Sequence, residues 1–250
     1  MFLATITNLF TAIGWALLNS IWQMGLLYLL AGFTTKFIFK SAAARHTAFT
    51  AALITGFSWF VFNLFTTPRL ILNLSASNYQ FVSGWKVVVA LINNALPYIT
   101  ILYISWVSIS LLRLAYTYTA NLNQQKANWQ KLPAQWRLFI QQQAQRLGIK
   151  KSITAFVSNY IDTPQVIGIL KPVILIPASC ITYLSPQQLE AVLLHEIAHI
   201  KRNDFALNVF IIVVEILFFF NPFAHKLTNG IRKEREYSCD DWVLQFQYQP

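Results

Sequence analysis

The sequence predicts a multi-span α-helical membrane protein that carries a small cytoplasmic α+β domain, and three observations lead there. Of its 250 residues 56% are hydrophobic and only 11% charged, where a soluble protein carries roughly 25% charged residues. The charges are spread so unevenly that three long stretches contain none, the pattern that a hydrocarbon solvent demands. After the third stretch the pattern changes to an amphipathic helix followed by short β-branched runs. Disorder and an ordinary soluble domain are thereby excluded. The formal charge of +10 would suit nucleic acid, but no compact basic cluster interleaved with stacking aromatics is present. The expected partner is therefore the lipid bilayer, with no direct nucleic-acid contact.

The first element is the uncharged run from Met1 to Thr35. A helix crossing about 30 Å of hydrocarbon needs about 20 residues, which places a span near residues 10–33. The first charge is Lys36, so no basic segment precedes the apolar run, and a retained span is expected rather than a cleaved signal peptide. Uncharged runs at His46–Pro68 and Val87–Leu112 predict further spans at about 46–66 and 87–112, so that residues 1–116 form a three-helix membrane part. Trp59, Tyr98, Tyr103 and Trp106 read as lipid-facing or interfacial-belt aromatics rather than a cofactor box, and Asn93, Asn94 and Pro97 as a helix kink. Lys36, Lys40 and Arg45 crowd the first connection without an acid, while the second holds only Arg69 and Lys86 near its ends. Basic residues favour the cytoplasmic side, which puts the N-terminus outside. Ten basic residues from Arg113 to Arg202 then place residues 117–250 in the cytoplasm, in a cell or plasma membrane. On that side Cys180 and Cys239 are expected to be thiols.

Within the cytoplasmic part, Pro133–Leu147 aligns Trp136, Phe139, Ile140, Ala144 and Leu147 on one helical face, with Gly148 as a C-terminal cap. Ile153–Ser158 and Val166–Pro177, punctuated by Gly168 and Pro172, read as short strands. Ser185 then caps a helix, Pro186 occupies its first turn and Gln188 completes a capping box. That helix runs through His195-Glu196-Ile197-Ala198-His199. Residues four apart share a helix face, so His195 and His199 can offer two imidazoles to one zinc, and Glu196 beside them can serve as the general base for a water there. With four His and five Glu in the chain, this spacing is expected by chance on the order of once in a thousand such sequences.

A catalytic zinc takes three protein ligands and leaves one position open. The downstream candidates are Glu236, as third ligand, and Asp240, four residues on and on the same face, as acceptor from a ligand histidine. This gives a gluzincin-like arrangement with one zinc per chain. Glu234 is the weaker choice and Glu215 a reserve. Asp204 reads equally as a partner of a ligand histidine or as a plain surface charge. Phe205–Phe220 is apolar apart from Glu215 and long enough for a further crossing, yet Glu236 has to meet the same metal as His195. The roughly 14 residues from Pro222 to Arg235 span only about 21 Å as a helix. A helical hairpin at about 205–235, turning at Asn221-Pro222, is expected instead.

At these residues the sequence resembles the membrane-embedded zinc peptidases of the BlaR/MecR type, the β-lactam sensor-transducer antirepressor family. The resemblance rests on Gly168-Ile169-Leu170-Lys171-Pro172-Val173-Ile174-Leu175-Ile176-Pro177, on Leu194 through Asp204, and on Asn221-Pro222 followed by Arg235-Glu236-Tyr237-Ser238-Cys239-Asp240-Asp241. It implies zinc held by His195, His199 and Glu236, with Glu196 as base. It also implies a cytoplasmic protein substrate in signal transduction, such as a transcriptional repressor, or cleavage of the protein itself. Sensor members continue through another span into an extracellular ligand-binding domain. The sequence ends at Pro250, so either a fragment or a minimal member without that sensor domain is expected.

Two other classes compete. A non-catalytic transducer or scaffold would use a closed, structural zinc site, which needs the histidines but not Glu196. A metal transporter would place ligands within its spans, where only His46 is found. Substrate-binding residues and oligomeric state are not legible at this level.

Overall fold

The computed structural model describes residues 2–75, 83–126 and 129–248, with side chains for 8–66, 87–119 and 129–245. Arg69 and Lys86, on which the reading of the second connection rests, lie outside the described side chains. The chain is mostly helical with one small sheet, and it divides into two units. One comprises residues 1–112 and 214–234, the other residues 113–213 and 235–250.

The first unit is built on α1 (Phe2–Phe37), α2 (Ala42–Ser75) and the first part of α3 (Ser83–Lys126). Among the described residues three segments are long and apolar enough to cross a membrane: Asn8–Phe37, Ala42–Thr66 and Val87–Thr119. Each helix outlasts its apolar run, because helical hydrogen bonding does not stop where hydrocarbon would end, and α3 continues through Pro97. Large apolar side chains such as Leu29, Phe62, Tyr98 and Trp106 are exposed, as a lipid solvent allows. At the α1–α2 contact Gly56 makes room for Met24: a Cβ there would sit 2.5 Å from the Met24 sulfur, which would have to move.

The same unit holds the end of α7 (Asp204–Leu217) and the start of α8 (Pro222–Tyr248), joined by a turn at 218–221. Asn221 pins the turn in place. Its Oδ1 accepts from the Phe223 and Ala224 amides, capping α8, while its Nδ2 donates to the Ser20 carbonyl at 3.0 Å. Tyr103 donates to the Leu217 carbonyl at 2.9 Å and stacks on Phe219, so it is a packing residue here.

The second unit contains β1 (Gln130–Lys131), α4 (Ala134–Arg146), β2 (Thr154–Ser158), β3 (Gln165–Ile167), β4 (Val173–Pro177), α5 (Ala178–Tyr183) and α6 (Pro186–Arg202). The sheet order is β1-β2-β4-β3, with β2 and β4 parallel and both outer strands antiparallel to their neighbours. Trp136 and Ile140 of α4, Ile174 and Ile176 of β4, and Leu189, Leu193, Ile197 and Ile200 of α6 close one core. The spacing of the α6 residues commits one face to the sheet and leaves the His195/His199 face turned away from that core. Ser185 and Gln188 form the expected capping box. β1 and α5 have no counterpart in the sequence expectations: a polar two-residue strand carries no alternation, and α5 spans fewer than two turns.

Candidate metal centre

α6 supplies two imidazoles one turn apart. The Nε2 atoms of His195 and His199 lie 3.1 Å from each other, and α8 brings the Glu236 Oε2 to 3.5 Å from the first and 3.7 Å from the second. A tetrahedral ion with bonds of about 2.0–2.1 Å holds its ligand atoms about 3.3 Å apart. The three atoms therefore already stand at the separations that such an ion needs, and they form a group able to hold a metal.

The opposite ring nitrogens are held by carboxylates. His199 Nδ1 meets Asp204 Oδ2 at 2.7 Å, and His195 Nδ1 meets Asp240 Oδ1 at 3.2 Å. Donation from Nδ1 to a carboxylate fixes the tautomer that leaves the Nε2 lone pair available. Asp204 reaches His199 through local backbone geometry. Asn203 ends α6 in the left-handed region (φ 59°, ψ 34°), and the chain reverses so that Asp204 opens α7, an N-terminal position where the helix dipole favours a carboxylate. Of the two readings of Asp204, the geometry agrees with the histidine partner, since the residue is 5% exposed.

Glu196, buried beside the ligand pair, borders the same cavity, and burial pushes its carboxyl above the usual range. Glu236 is pulled down to about 2, first by its hydrogen bond with His195 and then, against the cost of burial, by Arg235, which donates to Oε1 at 2.9 Å. That hydrogen bond raises His195 in turn, aided by the charges of Glu196 and Asp240. The arrangement thus attracts positive charge to the point where the three ligand atoms converge.

The reserve carboxylates are committed elsewhere. Glu215 accepts two hydrogen bonds from Arg232, both 2.7 Å, and one from Thr228, while Glu234 pairs with Arg45 at 2.7 Å. Two neighbours of the centre escaped sequence reasoning. Arg235, named in the sequence only as part of the resemblance, holds the Glu236 carboxylate. Cys239 is fully buried, with Sγ 3.4 Å from His199 Nδ1 and 3.8 Å from Asp204 Oδ2, and burial lifts its thiol to about 12. Its i, i+3 spacing from Glu236 was the available signal. Cys180, also a thiol, is half-buried.

A cavity of about 280 Å³ opens onto His195, Glu196, His199 and Glu236, and Gln165 and Val166 of β3 form part of its wall. Among the described residues β3 is the outermost strand on its side of the sheet, with one backbone edge unpaired by any strand, and it borders the same cavity.

Apolar helices of membrane-spanning length, a small sheet domain and a two-histidine, one-carboxylate centre define a class of membrane proteins with a metallopeptidase-like site. The chain belongs to the BlaR1 peptidase M56 family, whose sequence profile matches residues 69–249. It is 37% identical over 87 residues to the regulatory protein BlaR1 of Bacillus licheniformis, which covers 35% of this chain and 14% of the relative. It is 33% identical over 95 residues to the methicillin resistance mecR1 protein of Staphylococcus aureus, covering 38% of this chain and 16% of the relative. The matched stretch thus spans only a small part of these curated relatives.

Proposed function

We propose that the protein is a membrane-anchored zinc endopeptidase that cleaves a cytoplasmic regulatory protein, such as a repressor, or its own chain. Residues 1–116 form the anchor with the N-terminus outside, and 117–250 carry the gluzincin-like catalytic part on the cytoplasmic side. The observation that carries this reading is the convergence of His195 Nε2, His199 Nε2 and Glu236 Oε2 beside Glu196, on a cavity bordered by a strand edge. His195, His199 and Glu236 would hold the ion. Zinc, when bound, supplies Lewis acidity to a water and to the scissile carbonyl.

The chain's own residues do the rest. The β3 edge pairs with an extended substrate segment and fixes its register. Glu196 takes the proton from the water and returns it to the departing amine. Burial raises its pKa, the direction that suits a group which both accepts and donates a proton. Asp204 and Asp240 orient the two imidazoles, and Arg235 orients Glu236. The cavity over the ligand atoms supports an open, catalytic site over a closed, structural one.

The test is cleavage of a peptide library by the detergent-purified chain, with and without zinc. Zinc-dependent cleavage that Glu196→Gln abolishes while retaining the metal supports the reading. Equal cleavage by the mutant refutes the assignment of the base.

A further inference from the structure

The connection between β3 and β4 is a five-residue hairpin, Gly168-Ile169-Leu170-Lys171-Pro172. Its shape depends on Gly168, which has φ +91° and where a Cβ would lie 2.8 Å from the Lys171 carbonyl oxygen. The turn thrusts its apolar residues outward: Leu170 is 83% exposed and Ile169 45%. A loop that presents a bare leucine to water gains nothing for the fold of its own domain.

Lysines accompany this tip on two adjacent segments. Lys171 is exposed on the hairpin itself. The segment from Leu147 to Ile153, which holds Lys150 and Lys151, lies beside it, because the Thr154 amide donates to the Pro172 carbonyl at 3.2 Å and Lys151 donates to Asn203 at the end of α6. Neither segment contains an acid. Asp204, the nearest carboxylate in sequence to that end of α6, is buried and engaged by His199. An exposed aliphatic point flanked by exposed lysines and no acid on either segment is complementary to an anionic lipid surface, where the leucine enters the acyl boundary and the lysines keep their ammonium groups among the phosphates.

The chain also leads there. Phe205 and Ala206, in the first turn of α7, line one small recess with Lys151, Gly168, Ile169 and Pro172. α7 is an apolar helix, so its first turn continues the apolar surface behind the tip. We propose that the 168–172 hairpin is a membrane-docking tip, with Ile169 and Leu170 inserting into lipid and the exposed Lys150 and Lys171 binding anionic headgroups. Since β3 is also the strand that borders the metal cavity, docking holds that edge against the membrane surface.

The test uses the full chain reconstituted in vesicles, carrying Cys180→Ser and an environment-sensitive fluorophore at Leu170→Cys. Tyr183→Cys, in α5 beyond the far end of β4, is the control; Tyr183 is 83% exposed, and the intervening five-residue strand is about 16 Å long. In phosphatidylcholine vesicles containing phosphatidylglycerol, the Leu170 label should be blue-shifted, quenched by doxyl-labelled lipid and shielded from iodide, and the Tyr183 label should show none of these. Lys150→Gln with Lys171→Gln, both at exposed positions, should lose the lipid quenching. Iodide quenching of the Leu170 label to the same degree as the control would overturn the proposal. Shielding without lipid quenching would also overturn it, since protein would then cover the tip. Equal lipid quenching in phosphatidylcholine alone would overturn the headgroup assignment.

Discussion

Replacing Asp204 by Asn keeps the size of the side chain and one acceptor for the His199 Nδ1 proton but removes the negative charge. The contact is 2.7 Å and the carboxylate is 5% exposed, so water screens it little. Hydrogen bonds to charged groups contribute about 1.5–3 kcal/mol and neutral ones about 0.5–1.5. The substitution should therefore cost about 1.5 kcal/mol of metal binding, roughly tenfold in affinity and at the low end of the 10–100-fold range for such partners. Asp240 makes the corresponding contact with His195 at 3.2 Å, but its side chain is 63% exposed. Asp240→Asn should cost less than about 1 kcal/mol, at most roughly fivefold. The assay is zinc competition against a fluorescent chelator in detergent, with unfolding temperatures measured alongside. Affinity losses of equal size in the two variants, or a loss at position 204 within twofold of wild type, would refute the argument that burial grades the two carboxylates.

Other consequences can be measured on the same preparation. Glu196→Gln should lower cleavage by about 10²–10⁴-fold while zinc content stays at the wild-type value; a parallel fall in zinc would make Glu196 a ligand instead. Glu215→Gln breaks the Arg232 and Thr228 contacts and should destabilise the protein by about 2 kcal/mol with no change in metal stoichiometry, and loss of zinc from a folded variant would restore Glu215 as a ligand. Cys239, its thiol raised to about 12 by burial, stays neutral at pH 8 and should resist iodoacetamide in the native state while half-buried Cys180 reacts first. Peptide mass mapping reads the order, and early labelling of Cys239 contradicts the packing around His199.

The three long apolar helices were legible because the absence of charge over 20 residues is a solvent requirement that no tertiary contact has to complete. Their ends were less so, since helices α1 to α3 run on into polar sequence. His195, Glu196 and His199 were legible because all three sit on one helix, where spacing alone fixes the geometry. Glu236 and Asp240 could be proposed from their i, i+4 relation, and they stand beside the two histidines as that relation suggested. Asp204 stayed ambiguous because its direction depends on one backbone residue, Asn203, entering the left-handed region. Arg235 and Cys239 carry no role in the sequence reading for a different reason: their significance exists only once α8 lies against α6, and the i, i+3 spacing of Cys239 from Glu236 is the one local sign of it. The turn at Asn221 was readable as a helix stop, but its bond to Ser20, 201 positions away, was not.

The most direct test of the central claim is the zinc content of the detergent-purified chain after chelator washing, compared between wild type and Glu236→Gln. About one zinc per chain in wild type, lost or readily stripped in the mutant, is the predicted result. A folded wild type without zinc, or a mutant that retains it under the same washing, would contradict the assignment of His195, His199 and Glu236 as the metal-binding set.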